Sequence, residues 1–303
     1  MEPSTKLPYF CSAVALPAPL PTTREIESST KDLPSIYAPD TRRNVLVGND
    51  FVVKYGQFVQ ENEGHALLLL EKHAVDWVPR LYAMYRENEK LYLVLERKPG
   101  RQLAEVWDEL DQNEISSVVS QLHKMFAQLR GLPPPSTGPR YANASGGPLR
   151  HRFFMWGQPD PEVNGPFDND EQVVKALARR SLKAWEDASC RGWFAEYLAR
   201  HLPQLLPGTD IPSVFTHADF QRKNIMVTKL PDSVEQLSGR SRYNITAVLD
   251  WEDAGWYPSY WEYACCFADF QWIDNWPAQV EHILEPCPRE AAALMLIKQN
   301  VDF

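Results

Sequence analysis

The stretch His217-Ala218-Asp219-Phe220-Gln221-Arg222-Lys223-Asn224 fits H-x-D-x-x-x-x-N, and Val248-Leu249-Asp250-Trp251-Glu252 later sets another carboxylate at the end of an apolar run. Phosphoryl transfer asks little covalent help of a protein. It asks for positioned metal ions and a carboxylate beside the attacking hydroxyl. In this pattern Asp219 would accept or orient the proton of an acceptor hydroxyl. Asn224 would give a neutral oxygen to one magnesium ion, and Asp250 would bridge metal to the phosphates of ATP. Taken alone, H-x-D-x-x-x-x-N equally describes a turn held by local Asp and Asn hydrogen bonds. What favours chemistry is the order along the chain: a strand lysine, a helix glutamate, an apolar strand with a hinge, then the two acidic motifs.

The elements that must position these groups are legible from periodicity. Val45 to Val47 and Phe51 to Lys54, around the turn cluster Gly48-Asn49-Asp50, predict a hairpin with Lys54 at a strand end. Glu61 to His73 predicts a helix with Glu63 in its first turns, and Val78 to Tyr85 and Leu91 to Glu96 predict two further strands. Pro99-Gly100 breaks this small sheet from a helical remainder. Ile115, Val118, Val119, Leu122, Met125, Phe126 and Leu129 recur at helical spacing and stop at Gly131 and Pro133 to Pro135. Residues 133–170 read as a long loop, and Glu171 to His201 as helix again. Strands are expected at Val214 to Thr216, Asn224 to Val227 and Ile245 to Leu249, with a polar tip at Lys229 to Tyr243. Those strands would fix Asp219, Asn224 and Asp250 on rigid backbone.

With these motifs in hand, the chain resembles the aminoglycoside phosphotransferase-like family, the small-molecule branch of the protein-kinase-like fold. The resemblance rests on Val52-Val53-Lys54-Tyr55-Gly56, Leu93-Val94-Leu95-Glu96 with Pro99-Gly100, the His217 to Asn224 motif and Leu249-Asp250-Trp251-Glu252. Asp250 to Pro258, followed by Tyr260-Trp261-Glu262-Tyr263, is similar to the family's fungal group. The resemblance covers residues 40–275. It implies an α+β, bilobal fold: an arm or linker at 1–35, an N-lobe at 36–96 with a small antiparallel sheet and one helix, and a larger, mainly helical C-lobe at 97–303. The hinge falls at 96–100, and ATP would sit between the lobes. Lys54 would hold the nucleotide phosphates and pair with Glu63, with Glu61 and Glu71 as nearby alternatives. Glu96 to Lys98 would offer hinge backbone to adenine. An ordinary surface lysine is the other reading of Lys54.

The chain departs from the protein kinases in several places. No G-x-G-x-x-G precedes Lys54, and the hairpin offers only Gly48, which puts phosphate contact from that loop in doubt. Ala218 stands where H-R-D has arginine, Asp250-Trp251-Glu252 replaces D-F-G, and no A-P-E follows. Without that platform a peptide substrate is not expected.

A formal charge of −9 and a pI near 5.3 argue against a nucleic-acid surface, which needs clustered Lys and Arg. Five cysteines form no CxxC pair and no zinc spacing, which fits a reducing, cytoplasmic setting. No signal peptide and no apolar run long enough to span a bilayer is expected.

Aromatic residues crowd the segment after Asp250: Trp251, Trp256, Tyr257, Tyr260, Trp261, Tyr263, Phe267, Phe270, Trp272 and Trp276. With Glu252, Asp253, Glu262, Asp269 and Asp274 they could wall a cationic or ring-bearing acceptor, although packing of the C-lobe core is the stronger reading for most of them. His217 fits bracing of its loop better than catalysis, and His123 fits a structural place. Glu252 reads equally as a group near the metals or as an exposed carboxylate. The expectation is an ATP- and magnesium-dependent phosphotransferase acting on a hydroxyl of a small molecule. The alternative is a kinase-like nucleotide-binding or scaffolding protein without transfer.

Overall fold

The chain enters through a short strand β1 (Tyr9–Phe10) and a one-turn helix α1 (Thr23–Glu27). Thr22 caps α1 by accepting from Glu25 N while the Glu25 carboxylate returns to Thr22 N, so the turn forms despite its length. The computed structural model describes residues 6–35, 37–155, 159–187, 189–206, 210–230, 242–269 and 273–301. The expected hairpin follows as β2 (Arg42–Val47) and β3 (Phe51–Gly56), then helix α2 (Glu61–Lys72), then β4 (Leu81–Glu87) and β5 (Lys90–Glu96). Lys54 lies inside β3 rather than at its end, opposite Leu93 of β5 and Asn44 of β2.

These strands form one antiparallel sheet in the order β1-β4-β5-β3-β2. Side chains alternate between its faces. Val45, Val53, Tyr55, Tyr82 and Tyr92 pack with Ile26 of α1, and Cys11, Leu16 and Leu20 cover them. The segment expected as an arm therefore closes the outer face of the sheet. Its residues also run beside β2, with Leu46 N donating to Lys31 O (2.9 Å) and Leu33 N to Asn44 O (2.8 Å). Lys54, between Val53 and Tyr55, is left to the inner face.

In the segment expected as the hinge, Gly100 adopts φ +119°, and a Cβ there would lie 2.3 Å from Val227 O. Only glycine lets the chain turn so close to that backbone. The turn delivers β6 (Arg101–Gln102), the short α3 (Leu103–Val106) and α4 (Gln112–Arg130), the last capped by Asp111 with Glu114 in a reciprocal box. The stretch expected as loop holds a two-residue strand β7 (Ala142–Asn143) and a single helical turn α5 (Pro161–Asn164). Glu171 to His201 is not one helix but two, α6 (Asp170–Asp187) and α7 (Trp193–Leu205). Between the two helices Ser189 turns with φ +54°, and Gly192 lies against the Trp185 ring, where a Cβ would come within 2.4 Å.

The strands β8 (Ser213–Thr216), β9 (Ile225–Lys229), β10 (Tyr243–Val248) and β11 (Gly255–Pro258) build two small sheets, β10-β9-β6 and β7-β11-β8. Of the expected polar tip, residues 231–241 lie outside the described residues. Helices α8 (Trp261–Asp269), α9 (Trp276–Ile283) and α10 (Pro288–Val301) complete the C-terminal region. Trp251, Trp256, Tyr257, Tyr260, Trp261, Tyr263 and Trp276 are all buried in one core, while Phe270 and Trp272 lie outside the described residues. The fold is thus α+β, an antiparallel N-terminal sheet with one long helix joined to a mainly helical C-terminal region. No helix among the described residues is long and apolar enough to cross a membrane.

Candidate active site

The loop after β8 is pinned from several sides. Glu262 of α8 accepts from His217 N (2.7 Å) and Ala218 N (3.0 Å), which fits the left-handed turn at Ala218 (φ +69°). His217 Nδ1 accepts from Asp219 N (3.1 Å), so Nε2 carries the proton and donates to Leu249 O at 2.8 Å. His217 braces the loop and ties it to the strand that ends at Asp250. Burial raises the pKa of Glu262, partly offset by His217 and by those two amides. Nothing in its sequence setting marks Glu262 as the anchor of a loop 44 residues before it.

Asp219 receives Asn224 Nδ2 at 2.9 Å on one oxygen and Gln221 Nε2 on the other, with Lys223 Nζ at 3.5 Å. Because Asn224 Nδ2 also donates to Asp219 O (2.9 Å), the amide nitrogen is engaged and the neutral side-chain oxygen is the atom left for a metal. Leu249 N donates to Asn224 O at 2.7 Å, which sets the two expected metal residues on adjoining backbone. Asp250 itself turns with φ +68°.

Lys54 Nζ contacts Glu63 at 2.7 and 2.8 Å and Asp250 Oδ1 at 2.7 Å. The alternatives are engaged elsewhere, Glu61 with Arg86 (2.8 Å) and Glu71 with Arg80 (3.1 Å). Lys54 is buried, not a surface lysine. Burial opposes its charge, but Asp250 and Glu63 outweigh that and hold its pKa above the ordinary lysine value. Burial likewise opposes the charge of Asp250, and Lys54 outweighs it and keeps the carboxyl well below the usual range.

Two N-terminal residues that sequence reasoning missed complete the cluster. Arg42, only 4% exposed, donates Nη1 to Glu252 Oε2 at 2.5 Å and places Nη2 3.6 Å from Asp250 Oδ1. Glu252 is therefore an ion-paired neighbour of Asp250, not a free carboxylate; burial and the Asp250 charge raise its pKa. Asn62 donates to Glu252 O and Ala254 O (both 2.8 Å) and accepts from Ala144 N (3.0 Å), which ties α2 to the C-terminal region. No local spacing distinguishes either residue from any polar group on a strand or helix.

A cavity of about 660 Å³ opens between the N-terminal sheet and the C-terminal region, within the roughly 300–1,000 Å³ common for cofactor pockets. Leu46, Val52, Leu95 and Met226 wall it, with Lys54, Asn224 and Asp250 among its lining residues. Glu96, Lys98 and Gly100 also line it. Glu96 and Lys98 pair with each other at 3.0 Å, and Glu96 N and Arg97 N donate to Arg80 O and Asp50 O (both 2.9 Å). No backbone bond engages Lys98 N–H among the described residues. The Gly48 turn is thus tied through Asp50 O to Arg97, in the segment expected as the hinge. Asp219 lines a second cavity of about 220 Å³ with Phe220, Cys265, Cys266, Asp274 and Trp276, and Lys223 borders both spaces.

Residues 41–294 match the model of the phosphotransferase enzyme family APH. The chain belongs to that family. Among solved structures it is similar to the ADP-bound aminoglycoside phosphotransferase APH(2'')-Ib, at 12% identity and TM-score 0.56, over 89% of this chain and 80% of that one. The gentamicin complex of APH(2'')-IIa gives 11% identity and TM-score 0.52, over 86% and 77%. APH(3'')-Id from Streptomyces rimosus gives 12% and 0.50, over 92% and 95%. At these identities the likeness establishes the kinase-like fold. None of the curated proteins compared with the chain matches it. The family is one of phosphotransferase enzymes, and the chain shares its kinase-like fold.

Proposed function

We propose that this protein transfers the terminal phosphate of ATP, with magnesium, to a hydroxyl of a small molecule, in the manner of the fungal members that its Asp250 to Tyr263 segment resembles. One observation supports this above the rest: Asp219 lines a second cavity beside the one that holds Lys54, Asn224 and Asp250. An acceptor in that second cavity would meet Asp219 as proton acceptor and the phosphate end of the nucleotide on its other side. Lys54, held by Glu63, would bind the phosphates, and the Lys98 backbone would meet adenine. Asn224 and Asp250 supply the hard oxygens that suit magnesium. Among the described residues no three His, Cys, Asp or Glu side chains are grouped to hold a metal without the nucleotide. When bound, the ion would neutralise charge that builds on the phosphates.

The acceptor cavity bears on substrate class. Asp274 is paired with Arg222, and Asp269 with Arg152 and Lys298 (3.1 Å). Apart from Asp219, the acids named as a cationic subsite there are already neutralised. A ring-bearing or uncharged hydroxyl compound fits this lining better than a cation. The five cysteines are free thiols, in keeping with a reducing, cytoplasmic compartment.

The test is mass spectrometry of a small-metabolite extract incubated with the protein, magnesium and ATP, beside Asp219→Asn. A species that gains one phosphate only with the unmodified protein is expected. Equal phosphorylation by Asp219→Asn would remove Asp219 from its role, and failure to bind magnesium-ATP would favour the scaffolding alternative.

A further inference from the structure

Four residues separate Asp219 from Asn224, and the pattern H-x-D-x-x-x-x-N leaves all of them open. Three are committed. Phe220 is buried against the Phe126 and Trp276 rings, at centroid distances of 4.3 and 5.7 Å. Gln221 donates to Asp219. Arg222 pairs with Asp274 and lies over the Trp107 and Trp276 rings at 5.1 and 5.6 Å. Lys223 differs: its side chain is 46% exposed, and among the described residues its one ion pair is with Asp219, at 3.5 Å. Of the residues that line the nucleotide cavity and the cavity at Asp219, Lys223 alone belongs to both.

Its backbone is fixed while its tip is not. Lys223 lies inside the helical turn Arg222–Asn224, where Asn224 N donates to Gln221 O (2.9 Å) and Leu249 N holds Asn224 O (2.7 Å). A partly exposed ion pair is worth at most about 1 kcal/mol, so the ammonium leaves Asp219 at little cost. A phosphoryl group that crosses from one cavity to the other approaches the Asp219 carboxylate, and two negative groups at close range repel. Lys54 stays on the nucleotide side, held by Glu63 and Asp250, and Arg222 is committed to Asp274. The cation left to offset that repulsion at the junction is Lys223. A lysine suits the task, being a point charge with three donors on a flexible four-carbon stem, able to follow a charge that moves.

We propose that Lys223 contacts the terminal phosphate of ATP and stays with that group as it passes to the acceptor. In the step the bond from the acceptor oxygen to phosphorus forms and the bond from phosphorus to the ADP oxygen breaks, its electron pair staying on ADP. The hydroxyl proton goes to Asp219, and Lys223 keeps its own. The inference rests on the nucleotide-binding reading above.

It is tested by titration calorimetry of magnesium-ATP and magnesium-ADP against the unmodified protein, Lys223→Met and Lys223→Arg, with thermal unfolding of each as a check on the fold. Lys223→Met should lose on the order of tenfold to a hundredfold in ATP affinity while ADP affinity stays within about twofold, the size of losing a charge-assisted bond to the terminal phosphate alone. Lys223→Arg should keep most of the ATP affinity. The same ATP-specific loss should appear when Lys223→Met is made in the Asp219→Asn background, because the contact is with the nucleotide and not through Asp219. A loss no larger for ATP than for ADP, or one that vanishes in the Asp219→Asn background, would leave Lys223 a partner of Asp219 only and overturn the proposal. An unmodified protein that binds neither nucleotide would instead refute the nucleotide reading itself.

Discussion

The Lys54 ammonium meets the Glu63 carboxylate at 2.7 and 2.8 Å, joining β3 to the first turn of α2 across nine residues of chain. Both groups are buried, so the pair survives only because each neutralises the other and Asp250 adds a second acceptor. Glu63→Gln should therefore cost about 3 kcal/mol, as removal of one partner from a buried pair does. Glu61→Gln and Glu71→Gln, on partly exposed pairs, should stay within about 0.5 kcal/mol. Urea unfolding of the three variants checks this; an equal loss in Glu61→Gln would count against Glu63 as the partner that matters.

Asp250→Asn should uncouple nucleotide binding from magnesium. The unmodified protein should bind ATP tighter with the ion than without it, and the variant should lose that gain by about tenfold or more. Calorimetry with and without magnesium reads the difference. An undiminished magnesium effect would place the ion elsewhere.

At the hinge, Gly100→Ala should cost about 2 kcal/mol or more, because φ +119° is strained for alanine and Val227 O stands 2.3 Å from the new Cβ. Gly48→Ala, with φ +62° but open space around it, should cost about 1 kcal/mol. Thermal or urea unfolding distinguishes them, and the reverse order would contradict the close approach at Gly100.

Burial, then the nearby Arg152 charge, pushes the His151 imidazole down from 6.5 to about 3. Between those values the unfolded chain takes a proton that the folded chain refuses, so this residue's contribution to stability falls as pH drops below 6.5. From pH 7 to pH 5 that is about 2 kcal/mol. Buried acids such as Glu262, with pKa raised by burial, work in the opposite direction, so the comparison must be between variants. His151→Asn should be less stable than the unmodified protein at pH 7, and the gap should narrow by about 2 kcal/mol at pH 5. A gap that does not change with pH would show that His151 takes up its proton in the fold as readily as in the unfolded chain.

The sequence alone carried the local geometry of the candidate motif, because H-x-D-x-x-x-x-N is closed locally: Asp219, Gln221 and Asn224 bond to one another within one turn. It likewise determined the hairpin, α2, α4 and the break at Pro99-Gly100, where hydrophobic period and turn chemistry act over a few residues. What it left open depended on distant partners. Lys54 had three glutamates within reach of the chain, and only the packing of α2 on the sheet decided among them. The seat of Gly192 against the Trp185 ring, between α6 and α7, is likewise a contact that no propensity encodes. Arg42 and Glu252 stand 210 residues apart and meet because the sheet closes over the loop after β10. A buried charge finds its counter-charge in three dimensions, and residue spacing carries no record of which one it will be.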